Sequence, residues 1–292
     1  MVIGAGTSTG TMSALAAWSF YLLGPSKYAA SVAFASLSLF GKVGIYRVFR
    51  ANVDPSHRWY AAIAALFVPS FVFWSSGLIK EAIVLAGFGW ALYGLHLWLR
   101  ERRPVIGAVL MVAGGAPLIL VKPYILFPLV LAGGSWYYWS KSLTHGRVRV
   151  RPIHLAAAAL LGIGGIVVLG QSFPEYSVDS FASRAYDLQR LGQRGGSSFE
   201  LGSDAPTSTL GRLVYAPAAL LAALFRPFIF EAHNLPSFVN ALETALFTLL
   251  FARVLFAQGI THLRKQVAAN PFLVFCLVFV LAFGMAVGLA SS

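Results

Sequence analysis

Nine apolar runs, each near the ~20 residues a helix needs to cross a bilayer, follow one another at residues 3–23, 28–46, 59–78, 82–99, 105–121, 124–139, 153–169, 235–257 and 272–289. A chain with that pattern has few choices. Lipid offers no water to satisfy a bare amide or carbonyl, so each run must close its backbone hydrogen bonds on itself as a helix. Composition agrees: 58% of the 292 residues are hydrophobic, 11% are charged and mean hydropathy is +0.74, well outside the range of soluble domains. The expected fold is an all-α polytopic membrane protein, one transmembrane domain of about nine helices over residues 1–292, with no tandem repeat and no dividing linker.

A tenth apolar run, 213–230, is interrupted by Pro217 and by Arg226-Pro227. Charge placement indicates how to read it. With a cytoplasmic N-terminus and nine alternating spans, the cytoplasmic segments hold thirteen Lys and Arg against Asp54 and Glu101, whereas the outer segments hold eight against seven carboxylates. Nearly all of the net charge of +12 then falls on one side, as the positive-inside rule requires. Nucleic acid is not needed to explain the basicity. Counting 213–230 as a crossing would turn Arg253, Arg264 and Lys265 outward and leave Glu231 inside. A re-entrant or interfacial segment over 213–234, beginning and ending on the outer side, fits better; its prolines suit broken backbone packed against protein. The C-terminus is then outside. Ten crossings is the alternative.

The single cysteine, Cys276, lies in the last run and rules out a disulfide within the chain; it reads as a packing residue. The N-terminus lacks the basic region of a secretory signal. Its abrupt start in a Gly/Ser/Thr-rich segment leads us to expect further upstream helices in comparable proteins.

The outer face collects the polar insertions. The longest is the outer loop 170–212, where 180–191 fits a short amphipathic helix and Arg194 to Ser198 an anion-binding turn; a solvated loop is an equal reading. At 69–81, Pro69 should kink the third span and Ser75-Ser76-Gly77 should stop it. Lys80 then lies near the first amides of the next helix, a setting that favours anions; the alternative is a snorkelling Lys80 beside a Glu81 that satisfies the helix start. Lys122-Pro123 is a two-residue break between the fifth and sixth spans. Lys80, Lys122 and Arg226 on one membrane face could neutralise a diphosphate, and Glu231 and His233 could transfer a proton. Equally, Arg226 and Glu231 could form an ion pair that holds the re-entrant turn. Glu243, deep in the eighth span, is a secondary candidate. Lys42, four residues from its span's cytoplasmic end, is expected to snorkel. His96 and His154 lack metal-ligand spacing. No cofactor or metal is expected.

There is no Walker lysine loop, zinc-type Cys/His set or nucleophile elbow. The segment 69–81, the Lys122-Pro123 break and the late Leu224-Phe225-Arg226-Pro227-Phe228 with Glu231 resemble multi-spanning proteins of bacterial polysaccharide clusters: O-antigen-type polymerases and C-type membrane glycosyltransferases. The resemblance covers residues 15–257 as an overall pattern. It implies a protein of the bacterial inner membrane that takes sugars from polyprenyl phosphate or diphosphate carriers on the outer side. Its partners would be a lipid-linked oligosaccharide and membrane lipids. C-type enzymes place a catalytic acid in the first outer loop, here only Gly24-Pro25-Ser26-Lys27, so either the acid lies upstream or the chain is not of that type. O-antigen-type enzymes rely on outer-loop arginines, sometimes with a histidine, which Arg226, Arg212 and His233 match better. The roles implied are Lys80, Glu81, Lys122 and Arg212 for substrate binding, and Arg226, Glu231 and His233 for catalysis. A non-catalytic membrane subunit or a lipid-linked glycan transporter is the other reading.

Overall fold

A computed structural model describes residues 8–144, 217–218 and 220–291. The apolar run 153–169, the loop 170–212 and Arg212 lie outside these residues. All regular structure among them is helical: α1 (Ser8–Leu23), α2 (Lys27–Asn52), α3 (Arg58–Ala62), α4 (Pro69–Phe73), α5 (Lys80–Leu99), α6 (Pro104–Val121), α7 (Pro123–Thr144), α8 (Leu235–Ala269) and α9 (Pro271–Ser291). Four of them, α2, α5, α6 and α8, are long and apolar enough to cross a membrane, and Pro271–Met285 is a shorter apolar stretch. Contacts divide the chain into two compact units, residues 1–126 and 127–292, the division falling within α7.

Helix ends follow local chemistry. Ser26 caps α2 by accepting from the Ala29 amide, and Asn234 caps α8 by accepting from the Ser237 amide at 2.8 Å. Pro123 forces the residue before it out of the helical region, so Lys122 becomes the break between α6 and α7. The kink expected at Pro69 is present: α3 runs into a π turn, Ile63–Phe67, Val68 is extended, and α4 begins at Pro69.

Glycines set the helix register of the first unit. A methyl added at Gly89 would lie 2.0 Å from the Gly41 carbonyl oxygen, and one at Gly44 would lie 2.8 Å from the Gly89 carbonyl oxygen and 3.3 Å from Tyr93 Cβ. Contacts that rise in step along both helices mean that α2 and α5 run parallel. Between α5 and α6 the order reverses, because a methyl added at Gly87 would lie 2.6 Å from the Gly114 carbonyl oxygen and one at Gly94 2.6 Å from that of Gly107. Those two helices are antiparallel. The broken segment α3–α4 is therefore the return limb that lets α5 run alongside α2. One end of this unit collects Arg47, Arg50, Arg58, Arg100, Arg102 and Arg103; the other holds Lys80, Glu81 and Lys122.

In the second unit, Trp136 is fully buried, with its ring 5.1 Å from that of Phe272 and 5.4 Å from that of Phe275. Gly284 lies against Leu220 and Leu224. α8 continues twelve residues past the expected end of its span, through a break at Gly259.

Candidate functional site

Lys80 begins α5 and Lys122 ends α6, so antiparallel packing brings them to the same end of the first unit. The Lys80 ammonium donates to Ser8 Oγ at 3.1 Å and to Thr9 Oγ1 at 3.0 Å. Its hydrogen bonds go to these two hydroxyls, and the neighbouring Glu81 carboxylate lies close enough to feel its charge. The Lys122 ammonium donates to Glu81 Oε1 at 2.7 Å. The cluster carries two cations and one anion beside the N-terminus of α5, whose first amides favour negative charge. Ser8 and Thr9 went unrecognised in the sequence, since nothing in a linear pattern connects them to Lys80 more than seventy residues later. Near the α1–α2 turn, an open depression of about 530 Å³ is lined by Phe20, Pro25, Ser26, Lys27 and Tyr28. It offers no carboxylate.

No protein family, curated protein or solved structure matches this chain.

In the second unit, Arg226 and Glu231 close a short turn. Arg226 Nε donates to Glu231 Oε1 at 2.9 Å, Nη2 donates to the same oxygen, and the Phe228 amide donates to Oε2 at 2.8 Å. Glu231 thus accepts both a guanidinium fork and a backbone amide. His233 is exposed just beyond, before the cap of α8. The pair supplies the brace expected for such a turn, and a phosphate that took Arg226 would have to displace the carboxylate.

The Arg226 hydrogen bonds hold the Glu231 carboxyl below the ordinary carboxylate range, and the Phe228 amide adds to the effect. A depressed carboxylate contributes stability above its unfolded pKa and loses it as pH falls through the lower, folded value. The turn should therefore stay closed through the pH range in which free glutamates protonate. Infrared titration of the carboxylates should show the Glu231 signal returning toward the ordinary range in Arg226→Gln; an unchanged signal would mean that the guanidinium does not set it.

A third polar group lies inside the first unit and corrects an expectation. Lys42 does not snorkel: it is 4% exposed and donates to Ser75 Oγ at 3.1 Å, while Ser75 in turn donates to the Val72 carbonyl. One helical turn earlier, the Ser38 hydroxyl is fully buried and has no hydrogen-bond partner among the described residues. Lys42 was misplaced because α2 extends to Asn52, well past the apolar run that suggested its end. The available signal was Ser38 and Lys42 at i, i+4 within apolar sequence, a polar stripe facing inward. Glu243 is half-buried on α8.

Proposed function

We propose that the protein is a membrane glycan polymerase or glycosyltransferase that takes sugars from a polyprenyl-linked phosphate or diphosphate on the outer side of the bacterial inner membrane. The observation that supports it is the Lys80–Ser8–Thr9 and Lys122–Glu81 cluster, at the end of the first unit opposite its six arginines. By the positive-inside rule the arginine end is cytoplasmic, so the lysine end faces outward, where lipid-linked sugars are the available substrates. The two ammoniums would neutralise the departing phosphate, the largest charge developed in the reaction. In the second unit Arg226 would hold Glu231 in its turn, and a catalytic role for Glu231 or His233 rests on the family resemblance alone.

The head-group assignment is open to direct measurement. In nanodiscs, Lys80→Gln and Lys122→Gln should each weaken binding of an undecaprenyl phosphate probe by roughly tenfold, the loss of one hydrogen bond to a charged group. Unchanged affinity in both variants would remove the site. Glu231→Ala should leave that binding intact and stop chain elongation.

A second reading, a transporter of a lipid-linked glycan, draws on a different observation. Broken helices at membrane depth beside a buried ionisable residue are a recurrent form of transport site, and Lys42 against the α3–α4 segment has that form.

A further inference from the structure

Helix α8 is too long for the membrane it enters. Its 35 residues would span about 52 Å at 1.5 Å per residue, against about 30 Å of hydrocarbon. The excess is handled at one residue. Gly259 leaves the helical region altogether, at φ 73° and ψ 155°, a conformation that glycine adopts without steric cost. The 24 residues before it, about 36 Å of helix, are enough to cross. The ten that follow form a helix of different composition.

That distal piece, 260–269, holds Arg264 and Lys265, both exposed, with exposed His262 and Gln266 paired at 2.9 Å. Ile260, Leu263 and Val267 fall at i, i+3 and i+7, a single apolar stripe. Leu263 and Val267 are half-buried, and Ile260 is 63% exposed. Asn270 ends the piece, and Pro271 starts α9 at once.

The neighbouring side chains mark its depth. The Trp139 indole donates to the Ala268 carbonyl at 2.8 Å, and the Lys141 ammonium sits 4.7 Å over the Tyr137 ring. Tryptophan, tyrosine and lysine gather where hydrocarbon gives way to head groups, so Ala268 lies at that boundary. Charge here has one sign, since no acidic residue follows Glu243 in the chain.

We propose that residues 260–269 lie along the membrane surface as a basic amphipathic helix and bind anionic lipid head groups through Arg264 and Lys265. Gly259 turns the helix from crossing the bilayer to lying on it. Ile260, Leu263 and Val267 rest against acyl chains and the half-buried core, and the two cations reach the phosphates. Lys141, two residues beyond the indole that holds Ala268, adds a third cation near this level. A zwitterionic head group would gain little from the same arrangement, because its own ammonium opposes the two side chains.

The test uses the full chain in detergent with short-chain phosphatidylglycerol and phosphatidylcholine of identical acyl length, reading retained lipid by native mass spectrometry. Near-surface cations contribute about fivefold each to anionic-lipid binding, so the wild type should prefer phosphatidylglycerol by roughly 25-fold at low salt. The double variant Arg264→Gln/Lys265→Gln should lose most of that preference with unchanged helical circular dichroism. Raising salt should weaken the preference in the wild type. Gly259→Ala should lose it with every charge intact, because a straightened helix carries them away from the surface. Equal retention of the two lipids by the wild type would overturn the proposal, as would a preference that survives either variant. Displacement of phosphatidylglycerol by millimolar inorganic phosphate would also overturn it, since the site would then recognise the anion without the membrane.

Discussion

Gly89→Leu should abolish the folded first unit, and even Gly89→Ala should lower its stability by about 3 kcal/mol, the upper part of the range for overpacking. A β-carbon at Gly89 would lie 2.0 Å from the Gly41 carbonyl oxygen, and the obstacle is backbone on a neighbouring helix. No rotamer change can move it. Helices in lipid gain no hydrophobic drive from pairing with one another, so close backbone approach at small residues supplies much of what holds them together. The same face carries Gly41 and Gly44 on α2, where an added methyl would likewise meet backbone inside 3.0 Å, so relief at one position compresses the next. Thermal melts in detergent should show Gly89→Ala lower by about 10 °C. Gly115→Ala is the control: nothing lies within 4 Å of the added methyl, and the substitution should be neutral or mildly stabilising. Equal melting of the two variants would mean that the α2–α5 contact is looser than described.

Lys42→Met should separate stability from function. A lysine that is 4% exposed and whose ammonium is held by one hydroxyl is costly, and even a fully paired buried charge can often be exchanged for apolar residues of similar volume with no loss or with a gain of about 1–4 kcal/mol. The variant should fold at least as well as the wild type. If Lys42 serves the α3–α4 segment in moving a lipid-linked substrate, transport or elongation should nevertheless fall by an order of magnitude or more. A lower melting point would identify the lysine as a tether between α2 and the broken segment. Ser75→Ala, which removes the acceptor and leaves the charge, should melt lower than Lys42→Met, because it strands the ammonium.

Helix character, the Pro69 kink and the Lys122-Pro123 break were legible in the sequence, because each depends on local chemistry: backbone satisfaction in lipid, or the geometry that proline imposes on itself and on the residue before it. The extents of α2 and α8 were not. Arginine and lysine are good helix formers, little behind alanine, so a helix runs on past the membrane boundary that hydropathy marks. Lys42 was misplaced for that reason, and so was the end of α8. The Lys80–Ser8–Thr9 contact and the parallel pairing of α2 with α5 depend on which glycine meets which carbonyl, information that a single helix does not carry. Of the candidate site, Arg226 with Glu231 was visible because the partners are five residues apart. Glu81 with Lys122 was not seen as a pair, because that requires the antiparallel register of α5 and α6.

Parallel neighbours also impose an order of events on a growing chain. Antiparallel hairpins in a membrane can close as soon as their second helix emerges, but Gly41 and Gly44 wait for Gly89, roughly 45 residues further on. At ~5–20 residues per second that is a delay of some two to nine seconds. Through that interval α2 must sit in lipid with its glycine face bare, and Lys42 too is unsheltered until Ser75 arrives, the stage at which a chaperone or insertion factor would have most to do.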